Sequence, residues 1–168
     1  KQVEKSTIRN LGCSASAVKL TSDKYLTYCH LRAHQVATPS TWLVGDAPPN
    51  QALILKPRDG AGSTATFVVP SAETIPGFMA IGRKEGWAGE WIVQEYVPGR
   101  PASVACLVGE KATLPLKPCL QTLTNDGRFH YLGGSLIDDP GHAKRATNLA
   151  LCAIRTISGL KGYVGVDL

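Results

Sequence analysis

Hydrophobic residues recur along this chain at two different periods, and each period predicts a different kind of element. At helical spacing they predict helices over residues 20–36, 76–85 and about 142–158. The last is the clearest, because Ala150 and Ala153 fall on one apolar stripe and Gly159 follows where a helix commonly ends. For the first helix, we expect Thr21 or Ser22 to be the N-cap.

Short apolar runs bounded by turn-forming residues predict β-strands. We expect strands at residues 41–44, 53–56, 66–69, 91–97, 102–108, 111–117 and 162–168. The second and third of these are expected to pair as a hairpin with a long loop, whereas residues 1–20 show no clear pattern. Helices that interleave with antiparallel-looking strands indicate an α+β, or mixed α/β, fold.

The composition of the chain mainly excludes other classes of protein. A chain of 168 residues normally folds as one domain or as two small ones. Its content of 43% hydrophobic and 18% charged residues is typical of a globular protein. We expect no membrane association, since no run of about 18 apolar residues occurs and the start lacks the apolar region of a signal peptide. The chain begins without Met, so we expect a fragment of a longer protein.

The net charge of +5 favours anionic partners, which include nucleotide phosphates, nucleic acid and acidic lipid. The basic residues are dispersed, without the clusters and interleaved aromatic residues of a nucleic-acid-binding domain, so we expect no nucleic-acid partner. The cysteines show no CxxC pair, which favours reduced thiols and a cytoplasmic location. They are Cys13, Cys29, Cys106, Cys119 and Cys152.

A lysine at the end of a predicted strand is the first candidate for chemistry. Lys56 ends the apolar run LILK and precedes a loop that contains Gly60 and Gly62. A lysine fixed at a strand end can place its ammonium against phosphate oxygens, and glycines let backbone N–H groups approach the same oxygens. The alternative is a mobile hairpin loop with a surface lysine, and a short Gly-x-Gly pattern does not decide between them.

Two further segments are weaker candidates. The strand WIVQEYVPG runs into a Pro-Gly turn, and its end could pair with an adenine ring or could be an ordinary strand edge. Asp167 is a carboxylate within the apolar run YVGVDL, where a divalent metal would offset the cost of burying its charge. An outward-facing aspartate is the alternative. His30 and His34 lie one helical turn apart, but without a third ligand nearby we expect no metal there.

The order and spacing of these segments resemble the ATP-grasp superfamily. The segments that carry the resemblance are SDK, LILKPRDGAGS, WIVQEYVPGRPAS, PLKPCLQ, YLGG and GYVGVDL, within residues 22–168. The chain looks most similar to the carboxylate–amine ligase-like branch, which includes tyramine–glutamate ligase and relatives of the carbamoyl-phosphate synthase large chain. The resemblance implies two small α+β lobes that clamp ATP, here incomplete at both ends.

The resemblance also implies roles for individual residues. The implied ATP-binding residues are Lys24, Lys56, Asp59, Gly60, Ala61, Gly62, Ser63, Gln94, Glu95, Tyr96 and Val97. Among them Lys56 is also the implied catalytic residue, the loop from Asp59 onward is a flap over ATP, and the Val97 backbone N–H reads adenine. Asp167 matches a magnesium ligand. The residues that match the acceptor site more weakly are Gln121, Tyr131 and Gly133.

The implied reaction forms an amide bond. ATP would phosphorylate a carboxylate to an acyl phosphate, which an amine then attacks, so the implied cofactors are ATP and Mg²⁺. The implied partners are a small-molecule carboxylate and amine, with glutamate and an aromatic amine as one pairing, and a homodimer is a further expectation. Residues 1–21 would be a remnant of an N-terminal subdomain or linker, 22–97 the central subdomain and 98–168 a truncated C-terminal subdomain.

The sequence also departs from the family pattern. An E-x-N-P-R motif with further metal ligands is expected beyond VDL and does not occur in the sequence. Pro101 stands where some ligases have an acidic ribose ligand, and Cys119 stands where we would expect Asn. The alternative function is therefore a non-catalytic ATP-binding module or a fragment of a larger ligase.

Overall fold

The structure is a computed structural model that describes residues 10–168. Within that range the helices are α1 (Ala15–Ser22), α2 (Lys24–Ala33), α3 (Ile75–Lys84) and α4 (Pro140–Thr156). The strands are β1 (Thr41–Leu43), β2 (Leu53–Pro57), β3 (Phe67–Val69), β4 (Trp91–Glu95), β5 (Ala102–Val108), β6 (Thr113–Pro115), β7 (Cys119–Leu123), β8 (Tyr131–Leu136) and β9 (Gly162–Asp167). None of the described helices is long and apolar enough to cross a bilayer.

The strands form two antiparallel sheets, one in each half of the chain. The first sheet has the order β1-β4-β2-β3, so β3 lies at its edge. In the second sheet β6, β5, β7 and β8 follow one another, and β9 also pairs with β5. The chain passes from one sheet to the other between Glu95 and Ala102. This architecture confirms the expected mixed α/β fold with antiparallel sheets.

The first sheet buries one face against α3. Leu53 and Leu55 of β2 are fully buried and belong to the same apolar cluster as Ile75 of α3. Because side chains alternate between the two faces of a strand, Ile54 and Lys56 lie on the opposite face of β2. The core of this half therefore directs Lys56 away from α3.

The second sheet packs one face against α4. Val104 and Cys106 of β5 are buried with Ala150 and Ile154 of the helix. Residues paired in an antiparallel ladder share a face, and β5 residues alternate. Asp167 is paired with the residue before Val104 and therefore lies on the face away from α4. Each sheet thus uses one face for its core and carries a candidate site residue on the other.

The predicted helix over residues 20–36 is wrong in its limits. Two helices, α1 and α2, meet at Asp23, which has extended backbone angles and accepts hydrogen bonds from the N–H groups of Tyr25 and Leu26. Asp23 is therefore the N-cap of α2, in place of the expected Thr21 or Ser22. The helix ends at Ala33, before the expected limit, and α1 was not predicted at all.

The other predicted elements have the expected type, but several differ from the prediction in length. The β2–β3 hairpin is confirmed, with Leu53 opposite Val69 and Leu55 opposite Phe67. The helices α3 and α4 are confirmed within two residues at each end. The strand predicted for residues 91–97 ends at Glu95, and only Thr113–Pro115 of residues 111–117 is strand. Strands β7 and β8 had no predicted counterpart.

Candidate active site

Two polar side chains, those of Gln94 and Thr41, hold Lys56 across the first sheet. The Lys56 Nζ donates to Gln94 Oε1 at 2.7 Å, and Gln94 Nε2 donates to Thr41 Oγ1 at 2.9 Å. These residues lie on adjacent strands β2, β4 and β1, and Thr41 is buried. The bond to Thr41 orients the Gln94 amide so that its oxygen, rather than its NH₂ group, faces the lysine.

The environment of Lys56 lowers its pKa to about 8 from an ordinary value of 10.5. Burial is the largest cause, because it disfavours the charged ammonium. The positive charge of Lys24 lowers the pKa further, and the carboxylate of Asp167 raises it. Lys24 and Asp167 therefore each act on Lys56, although the three residues come from a helix start and from two different sheets.

Lys24 is held at the start of α2 against the loop that follows β2. Its backbone N–H donates to the carbonyl of Arg58 at 2.9 Å, and its Nζ donates to the carbonyl of Gly60 at 2.8 Å. Burial lowers the pKa of Lys24, while the charges of Asp59 and Asp23 oppose that shift. The ammonium thus lies against the loop backbone, near the second lysine.

Arg58 follows the same strand as Lys56 but is bound to carboxylates on both sides. Its guanidinium contacts Asp23 Oδ2 at 2.8 Å and Glu90 Oε2 at 2.7 Å. Burial alone would raise the pKa of Asp23, but the hydrogen bonds from Arg58 and from backbone N–H groups outweigh burial and lower it. Arg58 therefore fixes the start of α2 to the end of β2, which positions Lys24. Sequence reasoning missed this role.

The glycine loop, which we define as residues 59–63, adopts a backbone that depends on its glycines. Gly60 has φ +85° and Gly62 has φ +75°, both in the left-handed region that glycine adopts without strain. Residues 59–62 are exposed, whereas Ser63 is half-buried and donates from Oγ to the carbonyl of Phe129 at 2.7 Å. The loop is therefore attached at both ends, to Lys24 and to the second half of the chain.

The predicted adenine-side residues lie at and beyond the end of β4. Glu95 is bound to Ser40 twice: its backbone N–H donates to the Ser40 carbonyl at 2.8 Å, and its Oε2 accepts from the Ser40 N–H at 3.2 Å. Tyr96 and Val97 follow with exposed side chains. The Gln94 amide is engaged with Lys56 and Thr41, so in this structure it positions the lysine.

The second sheet places Asp167 beside one predicted acceptor residue. Gln121 Nε2 donates to Asp167 Oδ1 at 3.1 Å. Gln121 is opposite Gly134 in the β7–β8 ladder, and the Tyr131 hydroxyl lies 3.1 Å from the place that a Cβ at position 134 would occupy. Gly133 lies next to Gly134 in β8. Gln121 of β7 therefore contacts Asp167, and Tyr131 and Gly133 lie on the neighbouring strand β8.

The candidate magnesium site contains one carboxylate, that of Asp167. Among residues 10–168 no group of three His, Cys, Asp or Glu side chains is arranged to hold a metal ion. His30 and His34 do not form such a site: His30 Nε2 bonds to the Thr156 carbonyl and His34 Nδ1 to the His30 carbonyl. An exposed carboxylate such as Asp167 offers the hard oxygen that Mg²⁺ binds when phosphates and waters complete its shell.

Comparison with known proteins identifies the class to which this arrangement belongs. Residues 21–168 match the family model of the ATP-grasp domain. The chain therefore belongs to the ATP-grasp family, as its sequence motifs predicted.

The chain is also similar to individual proteins of known name. The chain is 32% identical over 168 residues to tyramine–L-glutamate ligase of Methanocaldococcus fervens, and it covers 47% of that protein. It thus spans about half the length of the curated relatives it matches. A crystal structure of an ATP-grasp superfamily protein from Archaeoglobus fulgidus is 30% identical, with a TM-score of 0.74 over 99% of this chain and 47% of that one.

A more distant structure shares the fold alone. The biotin carboxylase domain of 2-oxoglutarate carboxylase from Hydrogenobacter thermophilus, in complex with magnesium ADP and bicarbonate, is 15% identical with a TM-score of 0.80. That match covers 99% of this chain and 40% of the other chain.

Proposed function

We propose that this chain supplies the nucleotide-binding part of an ATP- and magnesium-dependent ligase that joins a carboxylate to an amine. The observation that carries the proposal is the placement of two lysines beside the glycine loop. Lys56 Nζ is held by Gln94 at 2.7 Å and Lys24 Nζ by the Gly60 carbonyl at 2.8 Å, and the charges of Lys24 and Asp167 both act on Lys56. Residues 22–97 would form the subdomain that carries the lysines, and residues 98–168 the subdomain that carries the carboxylate.

Two adjacent ammonium groups favour a polyanionic ligand. Lys56 is half-buried and repelled by Lys24, which is why its pKa is low. A triphosphate between the two lysines would replace this repulsion with attraction and would return the pKa of Lys56 towards its ordinary range. A site that binds a neutral ligand would gain nothing from this arrangement.

The chain's own residues then have distinct tasks in phosphoryl transfer. Lys56 would neutralise charge on the transferring phosphoryl group, and Gln94 keeps its ammonium at a fixed position. The glycine loop would cover the phosphates with its backbone N–H groups, and the Val97 backbone would bind adenine. Asp167 would hold magnesium. When bound, the metal would supply positive charge that neutralises the phosphate oxygens.

The proposed identity of the acid and of the amine is taken from the name of the curated relatives. Their name, tyramine–L-glutamate ligase, points to glutamate as the carboxylate and tyramine as the amine. Gln121, Tyr131 and Gly133 would line the acceptor side, next to Asp167. We place the reaction in the cytoplasm, where five free cysteines remain reduced, and we propose a homodimer as the assembly.

The alternative is a nucleotide-binding module without catalysis. The single candidate metal carboxylate among the described residues favours it, since two-metal phosphoryl transfer needs more oxygen ligands. The two functions differ in one observable result: only the ligase produces ADP in a reaction that depends on an acid and an amine.

The experiment uses the polypeptide as its gene encodes it. ADP formation is measured with MgATP, L-glutamate and tyramine, and each substrate is omitted in turn. We expect product formation that requires all three, and a loss of about 100-fold or more in Lys56→Ala. Lys84→Ala, which removes an exposed lysine of α3, is the control. MgATP binding without turnover would favour the non-catalytic module, and no binding would contradict both functions.

A further inference from the structure

The turn between β7 and β8 crosses from the second sheet to the first. We define it as residues 124–130. The backbone N–H of Val68, on the edge strand β3, donates to the carbonyl of Gly127 at 2.9 Å. Gly127 has φ +76°, and a Cβ at this position would lie 3.5 Å from the Val68 side chain. The turn therefore covers an otherwise exposed sheet edge with a close backbone contact.

Arg128 attaches the same turn to α3 and β3. Its guanidinium forms a bidentate pair with Glu85, at 2.9 Å to Oε1 and 2.7 Å to Oε2. The Arg128 Cζ also lies 4.1 Å from the centre of the Phe67 ring. A bidentate pair that stacks on an aromatic ring defines both the position and the orientation of the guanidinium. The three partners belong to two different halves of the chain.

The residue after Arg128 binds the glycine loop. Ser63, the last residue of that loop, donates from Oγ to the carbonyl of Phe129 at 2.7 Å. Both Ser63 and Phe129 have φ +57°, a conformation that is uncommon for residues other than glycine and that needs support from its surroundings. The Arg128–Glu85 pair supplies that support because it fixes the adjacent peptide group.

Hydrogen bonds within residues 124–130 stabilise the conformation of the turn. Thr124 Oγ1 donates to Asp126 Oδ1 at 2.7 Å, and the Arg128 N–H donates to the same oxygen at 2.9 Å. In the middle of β7, three residues before the turn, Gln121 is bonded to Asp167. One hairpin thus contacts both the glycine loop and the candidate metal ligand.

We propose that the β7–β8 turn is a clasp that sets the distance between the glycine loop and the Asp167 side of the site. Arg128 and the Ser63 hydroxyl are its positioning groups. Arg128 would not touch the nucleotide and the Ser63 Oγ is bonded to Phe129, so both act by determining where the loop closes over the nucleotide. This consequence for ATP rests on the proposed function, whereas the clasp itself is a property of the fold.

The clasp is tested first without nucleotide, by hydrogen exchange of the Val68 amide. This amide donates directly to Gly127, so it exchanges when the turn separates from β3. We expect Arg128→Ala and Glu85→Ala each to speed its exchange about fivefold or more, and the double variant to be no faster than either. Arg83→Ala, which removes an exposed cation from the same helix, is the control and should leave the rate unchanged.

The consequence for the nucleotide is tested by titration of MgATP into the same variants and into Ser63→Ala and Lys56→Ala. We expect the dissociation constant to rise about threefold to tenfold in Arg128→Ala and Ser63→Ala, and binding to be lost in Lys56→Ala. Circular dichroism checks that each variant is folded.

The outcomes separate the two proposals. Wild-type binding that Lys56→Ala abolishes and Arg128→Ala leaves unchanged would overturn the positioning role and leave the function intact. An unchanged Val68 exchange rate in Arg128→Ala would overturn the clasp itself. Faster Val68 exchange without any MgATP binding to the wild-type protein would support the clasp and contradict the proposed function.

Discussion

Replacement of Lys56 by methionine should separate stability from nucleotide binding. Methionine keeps the length and the apolar stem of lysine but removes the ammonium, which is half-buried and repelled by Lys24. We therefore expect Lys56→Met to stabilise the protein without ligand and to abolish its binding of MgATP. A lysine with a purely structural role would produce the opposite effect on stability.

The magnitude follows from the pKa of Lys56. Lowering this pKa from 10.5 to about 8 corresponds to about 3 kcal/mol of destabilisation at pH 7. The substitution also leaves Gln94 Oε1 without its donor, at a cost of about 1–2 kcal/mol. The expected net stabilisation of Lys56→Met at pH 7 is therefore about 1–2 kcal/mol.

The pH dependence gives a sharper test of the same cause. The unfolded chain keeps the Lys56 proton up to its ordinary pKa of 10.5, whereas the folded chain releases it near pH 8. Between these values the unfolded state binds more protons, so the stability of the wild-type protein rises with pH. The destabilisation by the low pKa of Lys56 falls to about 1 kcal/mol at pH 9.5, so the stability advantage of Lys56→Met should shrink by about 2 kcal/mol.

Urea unfolding of wild type and Lys56→Met at pH 7 and pH 9.5 measures both quantities. Lys84→Met replaces an exposed lysine of α3 and should show neither the stabilisation nor the change with pH. The reasoning is refuted if Lys56→Met is less stable than wild type at pH 7 and the difference is the same at pH 9.5.

Two further substitutions test other contacts of the site. Asp167→Asn removes the charge that raises the pKa of Lys56, so the lysine should titrate below pH 8 and MgATP should no longer bind more tightly than ATP alone. Ammonium NMR and calorimetry measure these effects, and an unchanged preference for MgATP would exclude Asp167 as the metal ligand. Asp23→Ala removes the cap of α2 and the partner of Arg58 and should cost about 1–2 kcal/mol in urea unfolding; a cost near zero would show that α2 does not depend on this cap.

Sequence patterns predicted the elements that depend on residues close together in the chain. The α4 stripe and the β2–β3 hairpin follow from periodicity and from glycines, and both occur. The boundary between α1 and α2 could not be read in this way, because helical spacing continues through Asp23. Asp23 is the residue at which α1 ends, and its carboxylate caps α2 while it binds Arg58, a residue distant in sequence. The strand β8 was missed because most of its residues are exposed, so no alternation of apolar and polar residues marks it.

The candidate site likewise contains some residues that a local sequence pattern marks and others that no local pattern marks. Lys56 and the glycine loop carry a local signal, a strand end followed by Gly-x-Gly. Thr41, which orients Gln94, is the first residue of a short strand and has no signal of its own. The pairing of Glu85 with Arg128 likewise depends on two segments that meet only when the sheets are folded. Such contacts arise from tertiary packing, which one sequence does not reveal.

The most direct test of the central claim is the pKa of the Lys56 ammonium, measured by NMR of ¹⁵N-labelled lysine side chains with and without MgATP. The signal is assigned by its loss in Lys56→Met. We predict a pKa of about 8 in the free protein and a rise towards the ordinary value of 10.5 when MgATP binds, because phosphate charge stabilises the ammonium. A pKa near 10.5 in the free protein, or a low pKa that MgATP leaves unchanged, would contradict the assignment of Lys56 to a phosphate site.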